Sequence, residues 1–271
     1  MGVKKLQEDL SVDIDKGKFR HKVDKSQIPI CNIMGVDIAA IDMEWLLKFT
    51  DNYIKDLQGD YMCVSNVHTT VTAFEEEDYK AVQNGGIMAI PDGGPLSSIG
   101  QKRGYKTMCR TTGPSYMKQI LKASSQKRWK HYFYGSTKET LEKLNDVLKK
   151  EYPDVQIAGM YSPPFGSMTK EEDRYIIEQI NDTNPDFVWV GLGAPKQEKW
   201  MALHQGKIEG FMVGVGAAFD YLAGNIKRAP RWMQIKNMEW IYRLMQDPKR
   251  LFKRYWHSNT KFIWYAYIKG K

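Results

Sequence analysis

Short apolar segments alternate with stretches of helical pattern along residues 61–216, and this alternation constrains the fold more than any other feature of the sequence. Each segment is apolar or β-branched and is bounded by Gly, Pro, Asn or Asp, which is typical of a buried strand. The predicted strands are 61–67, 87–90, 131–135, 155–160, 187–192 and 211–216. Strands that alternate with helices predict an α/β fold, in which helices cover both faces of a mainly parallel sheet.

Two of the intervening helices carry their own signals. Residues 138–150 place three leucines at helical spacing. Residues 169–182 begin with Thr169 as a plausible N-cap and have Glu172 three residues later. That spacing predicts a capping box, in which each side chain accepts a hydrogen bond from the other residue's backbone.

The positive charge of the chain is concentrated at its C-terminal end. The 271 residues carry a net charge of +8. Residues 227–271 hold twelve Lys and Arg and two acidic residues, a balance of +10, so the first 226 residues are close to neutral at −2. We therefore expect a polar segment at 1–28, an α/β core at 29–236, and a basic helical appendage at 237–271 that meets an anionic surface.

The composition argues against several classes of protein. Apolar residues make up 42% and charged residues 27% of the chain, as in a soluble globular protein. No run of about 18 apolar residues is present, and the first residues lack the apolar region of a signal peptide. The three cysteines are odd in number and form no CxxC pair. We expect a protein of the reducing cytoplasm, without a structural metal.

Two acidic residues follow predicted strands, at the edge where parallel sheets bind their ligands. Asp92 lies in the motif IPDGGPL, where two glycines allow close backbone approach, so its carboxylate can meet a substrate hydroxyl. A tight turn is the alternative, because Asp-Gly is a common turn pair. Asp220 ends the motif VGVGAAFD, where it can accept hydrogen bonds from a base or a ribose or can cap a helix.

A third motif, GLGAPKQEKW, predicts an anion site. Pro195 is well placed to start a helix. Free backbone N–H groups at that helix start, together with Lys196, suit a diphosphate. Gly193 allows close approach, and Gln197 and Glu198 are expected to face the same cleft. The alternative is a connection whose glycines only pack closely.

The appendage contains a predicted amphipathic helix. A first helix starts at Glu239, and a second has Asp247 as its N-cap and Pro248 as its first residue. One arc of the second helix carries Leu251, Phe252, Tyr255 and Trp256. The opposite arc carries Lys249, Arg250, Lys253 and Arg254. This layout indicates a helix lying in a membrane interface, the alternative being a helix packed on the core with a solvated charged face.

These motifs carry a resemblance to a known family. The stretches GLGAPKQEKWM, GVGAAFDYLAGNIKRAPRWM and MEWIYRLMQDPKRLFKRY run in the order and spacing of the WecG/TagA/CpsF glycosyltransferases. Upstream, SNVHTTV, IPDGGPLS and CRTTGPSYM resemble the earlier blocks of that family. The block CRTTGPSYM retains Arg110 but lacks the Glu and the second Asp that the family commonly has there.

The resemblance implies an inverting glycosyltransferase with a Rossmann-like core that needs neither metal nor cofactor. Its members move N-acetylmannosamine, its uronic acid or glucose from a UDP-sugar to an undecaprenyl-diphosphate-linked sugar, in teichoic acid, enterobacterial common antigen or capsule synthesis. The roles that the resemblance implies are a general base for Asp92, orientation of the donor for Arg110 and Gln197, stabilisation of departing UDP for Lys196, and diphosphate or head-group contacts for Arg243 and Arg250. Asn66 and His68 become candidate substrate contacts, with a structural histidine as the alternative for the second.

Two rival functions are less well supported by the sequence. A nicotinamide-dependent oxidoreductase needs a GxGxxG motif after its first strand, and the chain has none. A nucleic-acid-binding protein could use the basic appendage, but its aromatic residues fit a membrane interface equally well.

The motif Asp13-Ile14-Asp15 mimics a metal-binding DxD sequence but precedes every predicted strand. We expect a peripheral enzyme on the inner face of the membrane, with the donor sugar, the acceptor sugar and any homo-oligomer left open.

Overall fold

The computed structural model describes residues 19–164, 166 and 168–268, and its centre is a twisted sheet of eight strands. The strands are β1 Ile30–Ile33, β2 Val36–Ala39, β3 Tyr61–Ser65, β4 Met88–Pro91, β5 Lys130–Gly135, β6 Gln156–Tyr161, β7 Phe187–Gly191 and β8 Phe211–Gly214. Their order across the sheet is β1-β2-β4-β3-β8-β7-β5-β6, and every pair except β1–β2 is parallel. The predicted mainly parallel α/β fold is confirmed.

The helices follow the strands along the chain and cover both faces of the sheet. They are α1 Met43–Tyr53, α2 Val67–Glu75, α3 Glu77–Gly85, α4 Gly94–Lys102, α5 Gly113–Lys127, α6 Lys138–Glu151, α7 Lys170–Asn181, α8 Lys196–His204, α9 Ala218–Leu222, α10 Arg231–Ile235, α11 Glu239–Gln246 and α12 Pro248–Phe262. A π-helical turn at Ile263–Ile268 continues α12. One apolar core joins the sheet to α1, α5, α6 and α9, and a second joins it to α2, α3, α4, α7 and α8.

The local signals read from the sequence hold at two helix starts. Thr169 and Glu172 form the predicted capping box at the start of α7. Asp247 caps α12, its Oδ1 accepting from the Arg250 backbone N–H at 3.3 Å, and Pro248 is the first helical residue. The motif Asp13-Ile14-Asp15 lies outside the described residues.

The β1–β2 hairpin was not predicted. Its two central residues, Met34 and Gly35, both have positive φ angles of 54° and 85°. Tight hairpins of this kind usually carry Asn-Gly or Asp-Gly, because few other residues tolerate that backbone region. With methionine in the first position and strands of only four residues, the segment lacks the usual hairpin signal.

The appendage packs against the body through α12, which lies on α2. Leu251 is 1% exposed and Phe262 is 2% exposed, and Phe262 joins the second core. The prediction that Leu251 lies on the outward apolar arc is therefore wrong, since this side chain faces the body. Phe252, predicted on the same arc, does face outward and is 59% exposed.

Within the described residues, every helix falls short of the length or the apolar character that crossing a bilayer requires.

The two phenylalanines of α12 provide a matched test of this packing. We expect Phe262→Ala to lower the free energy of unfolding by roughly 3 kcal/mol, because it leaves a cavity in the second core. Phe252→Ala removes the same side chain from the outer face of the same helix, where the expected change is within about 0.5 kcal/mol. Urea unfolding followed by circular dichroism measures both. Equal losses in the two variants would contradict the inward packing of α12.

Candidate active site

Asp92 follows β4 at the carboxyl edge of the sheet, beside the end of β3. Its backbone N–H donates to the Ser65 carbonyl at 2.8 Å, which fixes the turn to the neighbouring strand. Its side chain is 25% exposed, and among the described residues none donates a hydrogen bond to the carboxylate. Burial raises the pKa of Asp92 above its usual value, although the nearby Arg110 opposes this. The arrangement leaves a carboxylate that is partly desolvated and open to a ligand.

Arg110 is held beside Asp92 by several partners. Its Nε donates to the Asp92 carbonyl at 2.7 Å, and its Nη1 lies 3.4 Å from the Gln234 carbonyl. Its Nη2 donates to Glu239 Oε2 at 2.7 Å and stays 3.8 Å from Asp92 Oδ1. The guanidinium is therefore oriented by the backbone and by Glu239 rather than by the Asp92 carboxylate.

Glu239 and Arg228 belong to the same charge cluster and were missed as site residues. Glu239 is 7% exposed at the start of α11, and its Oε1 lies 3.6 Å from Arg228 Nε. Arg228 Nη2 donates to Thr112 Oγ1 at 3.2 Å and to Ser115 Oγ at 2.9 Å. The available signal was that Glu239 is one of two acidic residues in a strongly basic segment.

The loop after β3 brings Asn66 and His68 to the same edge. Asn66 Oδ1 accepts from the backbone N–H groups of His68 at 2.9 Å and Thr69 at 3.2 Å, so it caps α2. His68 Nδ1 lies 3.0 Å from Ser258 Oγ on α12. Burial, with help from Arg254 and His257, lowers the pKa of His68 to about 4, so the ring is neutral at pH 7. Each side chain thus has one polar atom engaged in structure, and only the other is available to a substrate.

Gln197 braces the two glycine-rich loops that follow β7 and β8. Its Oε1 accepts from the Gly193 N–H at 3.2 Å and from the Gly216 N–H at 3.0 Å. Both glycines have positive φ angles, 79° and 55°, which few other residues adopt. Gln197 is 4% exposed. The structure therefore places it behind the cleft wall, as a residue that positions the loops, and not on the surface that a donor would touch.

A buried hydrogen-bonded chain connects these loops to the end of β3. Gln197 Nε2 donates to Glu198 Oε1 at 2.7 Å, and the Tyr79 hydroxyl donates to Glu198 Oε2 at 3.1 Å. Gln83 Nε2 donates to that hydroxyl at 2.9 Å, and Ser65 Oγ donates to Gln83 Oε1 at 2.5 Å. Burial raises the pKa of Glu198 to about 7. The prediction that Glu198 faces the cleft is wrong, because its side chain is fully buried and both of its oxygens are engaged within this chain, which was not predicted.

Lys196 and Asp220 lie at the starts of two helices. Lys196 is the exposed first residue of α8. Asp220 sits in the first turn of α9, and its Oδ1 accepts from Asn225 Nδ2 at 3.2 Å. The predicted contact of Asp220 with a base or ribose therefore competes with a local contact.

Of the two arginines expected from the appendage, Arg243 reaches the site and Arg250 does not. The Arg243 guanidinium lies 5.8 Å from the centre of the Tyr221 ring and helps lower the pKa of Asp92. The Arg250 side chain is 64% exposed and pairs with Asp247 Oδ2 at 2.6 Å, away from the cleft. Arg254, predicted on the basic arc opposite Leu251, is half-buried near His68. Arg243 and Arg254 face the site, and Arg250 does not.

Two of the clustered arginines have buried nitrogens with no hydrogen bond. Among the described residues, the Nε atoms of Arg228 and Arg254 are buried and have no hydrogen-bond partner. Buried donors are rarely left unpaired, and Arg228 Nε already faces Glu239 Oε1 at 3.6 Å, so Arg254 Nε is the better candidate of the two for contact with an anionic ligand. The described residues contain no group of three His, Cys, Asp or Glu side chains that could hold a metal ion.

Comparisons with known proteins agree with the resemblance. The model of the glycosyl transferase WecG/TagA/CpsF family matches residues 31–271. An N-acetylglucosaminyldiphosphoundecaprenol N-acetyl-beta-D-mannosaminyltransferase of Bacillus subtilis (strain 168) is 31% identical over 201 residues, which cover 73% of this chain and 76% of the relative. The enzyme of the same name from Staphylococcus aureus (strain MW2) is 26% identical over 231 residues, 84% of this chain and 89% of the relative.

The buried carboxyl of Glu198 gives a pH-dependent prediction. Its pKa is higher in the folded than in the unfolded chain, so it stabilises the fold at low pH and this contribution is lost as pH rises through about 7. Glu198→Gln removes the titration. We expect the variant to gain stability relative to the wild type between pH 5 and pH 8, by up to about 3 kcal/mol.

Urea unfolding at several pH values measures this difference. Glu142→Gln, at an exposed position of α6, is the matched control and should show no such trend. A difference between wild type and Glu198→Gln that stays constant with pH would show that Glu198 is ionised throughout.

Proposed function

This chain belongs to the WecG/TagA/CpsF glycosyltransferase family, and from that premise we propose that it transfers N-acetylmannosamine, or a closely related sugar, from a UDP-linked donor. The acceptor is a sugar carried on a lipid diphosphate, as the names of its relatives suggest for this class. The product belongs to the synthesis of a cell-surface polysaccharide such as teichoic acid. The observation that carries the proposal is the open carboxylate of Asp92 at the centre of a cluster of arginines.

The proposed reaction inverts the anomeric centre in one displacement. Asp92 accepts the proton of the acceptor hydroxyl while that oxygen forms a bond with the anomeric carbon of the donor. The bond from that carbon to the diphosphate oxygen breaks on the opposite side, and UDP departs with the electron pair. A carboxylate is a competent base when it lies within hydrogen-bond reach and is partly desolvated, so that its pKa rises. The raised pKa of Asp92, caused mainly by burial, supports this role.

Cationic side chains are proposed to stabilise the departing diphosphate. Arg243 and Arg254 belong to the appendage, and Lys196 is the exposed first residue of α8. The buried unpaired Nε of Arg254 supports a diphosphate contact there. Fixed positive charges of this kind act on the leaving group as a divalent cation does in other transferases. We therefore propose that the reaction is independent of metal.

The surface of the appendage supports docking on a membrane. Of the eleven large apolar side chains exposed in the described residues, seven lie in the appendage, and Trp232 and Ile235 lie just before it. Phe252 and Trp256 stack at 6.3 Å on the outer face of α12, and Lys249 and Lys253 are exposed on the same helix. Aromatic and cationic side chains together suit the interface of an anionic bilayer. The enzyme is proposed to act at the inner face of the cell membrane, where its lipid-linked acceptor lies.

Turnover of a panel of UDP-sugars tests the proposal directly. The protein is incubated with a short-chain lipid-diphosphate acceptor that carries N-acetylglucosamine, in excess EDTA, and products are read by mass spectrometry. Addition of one N-acetylhexosamine from UDP-N-acetylmannosamine is expected. Turnover that requires added Mn²⁺ or Mg²⁺ would contradict the metal-independent leaving-group site, and no transfer from any donor would contradict the function.

Asp92→Asn tests the general base in the same assay. The variant keeps the shape of the side chain but cannot take the proton, so kcat should fall roughly 10²–10⁴-fold. UDP binding, measured by calorimetry, should persist because the phosphate contacts come from other residues. Transfer by the Asn variant at the wild-type rate would refute the assignment.

A double substitution on the outer face of α12 tests membrane docking. Phe252→Ser with Trp256→Ser removes two exposed aromatic rings without touching the buried face. We expect sedimentation with anionic liposomes to fall at least tenfold, since each buried ring contributes on the order of 1.5–3 kcal/mol. Tyr175→Ser on α7 is the control, because Tyr175 is 58% exposed but distant in the chain from the appendage.

These point variants are preferable to removal of residues 237–271. Deletion would also remove Phe262 from the second core and Glu239 from the arginine cluster. If the double variant binds anionic liposomes as the wild type does, the outer face of α12 does not carry docking.

A further inference from the structure

Arg110 stands between two carboxylates and bonds closely to only one of them. Its Nη2 lies 2.7 Å from Glu239 Oε2 but 3.8 Å from Asp92 Oδ1. An unrestrained guanidinium beside a carboxylate closes to about 2.7–2.9 Å and forms a charge-assisted hydrogen bond. Glu239 engages the Nη2 that lies nearest the Asp92 carboxylate, and together with the backbone carbonyls of Asp92 and Gln234 it holds Arg110 away from a closer contact.

Glu239 belongs to the appendage, whereas Arg110 and Asp92 belong to the body. The appendage reaches this point through a close fit, because the Asn237 side chain occupies the space where a Cβ on Gly94 would lie. Gly94 is the second glycine after Asp92. The docking contact of the appendage and the turn that carries Asp92 are therefore adjacent.

We propose that Glu239 is a positioning residue, which holds Arg110 off the Asp92 carboxylate and so frees the general base only when the appendage is docked. This inference rests on the proposed function of Asp92. Glu239, an acidic residue of the basic appendage, would thus assist proton transfer without touching the substrate. This role also explains why a buried glutamate lies between Arg110 and Arg228 and not on the surface.

The charges around Asp92 determine in which direction its pKa changes when Glu239 loses its charge. Arg110, Arg243 and Arg228 lower the pKa of Asp92, and Glu239 raises it, while burial raises it most. Tyr221 also faces Asp92, but burial raises the pKa of this phenol to about 12, so it is neutral near pH 7. Removing the charge of Glu239 takes away one raising influence and releases Arg110 to pair with Asp92. Both effects lower the pKa of Asp92, and a carboxylate with a lower pKa is a weaker base.

The experiment compares three variants with the wild type. Glu239→Gln keeps the volume of the side chain and removes the charge, and Glu239→Asp keeps the charge on a shorter stem. Glu75→Gln is the matched control. Glu75 on α2 pairs with Lys261 and lies near His257, both in the appendage, so its substitution weakens the contact between the appendage and the body without changing a charge beside Asp92. Circular dichroism and thermal unfolding confirm that each variant is folded.

The first readout does not depend on turnover. Aspartate carboxyl carbons are labelled with ¹³C, and the Asp92 signal is identified by its loss in Asp92→Asn. In Glu239→Gln the titration of Asp92 should move to lower pH than in the wild type. In Glu239→Asp and Glu75→Gln it should remain near the wild-type position. An unchanged titration in Glu239→Gln overturns the inference.

The second readout is the pH dependence of kcat. The acid limb should move to lower pH in Glu239→Gln, and the plateau should fall about tenfold, as expected for loss of one hydrogen bond to a charged group. Glu75→Gln should lower the plateau or raise KM without moving the limb. A limb that moves equally in Glu75→Gln would mean that general loosening of the appendage is responsible, and would overturn the specific role of Glu239. Absence of transfer by the wild type would contradict the proposed function but not the effect of Glu239 on the pKa of Asp92, because the titration of Asp92 is measured without turnover.

Discussion

The parallel pairing of β3 with β4 and β8 determines where every functional group of this protein can lie. Parallel strands end at one edge, so the loops after β3, β4, β7 and β8 meet there although they are far apart in the chain. Asp92 is tied to the end of β3 through its own backbone N–H. Gln197 then ties the loops after β7 and β8 to each other. The sheet supplies the position of the cleft, and these two sets of hydrogen bonds supply its shape.

The rigidity of the cleft wall depends on polar groups that are buried at a cost. Glu198 is fully buried, and it is tolerated because Gln197 and Tyr79 satisfy its oxygens. A network of this kind is stable only when every member finds its partner, so it specifies one arrangement of the loops. The arginine cluster on the other side of the cleft is different, since the buried Nε atoms of Arg228 and Arg254 lack hydrogen bonds within the described residues. One side of the cleft therefore has its buried hydrogen bonds satisfied, and the other keeps buried donors without a hydrogen bond.

The sequence was informative wherever the signal was local. Alternating strands and helices, the capping box at Thr169 and the start of α12 at Asp247 all follow from residues close together in the chain. Contacts between distant segments, such as that of Arg110 with Glu239 or of Gln197 with Gly216, could not be predicted from local sequence.

The orientation of α12 shows the same limit on a smaller scale. Helical periodicity gives two opposite arcs, but it does not say which arc packs inward. The body of the protein decides, through the surface that α2 offers. The buried arc combines Leu251, Ser258 and Phe262 with the half-buried Arg254. It therefore crosses the division between apolar and basic residues that the sequence suggested.

The fit of Asn237 against Gly94 links two positions that lie far apart in the chain. A larger residue at position 94 would displace Asn237 and with it the start of α11, even though residue 94 itself touches no charged group of the site. Selection on the appendage would therefore also act on the turn after Asp92, where Gly94 would be retained together with a particular side chain at position 237. In a lineage that lost the appendage, this glycine would be released from the constraint and free to drift.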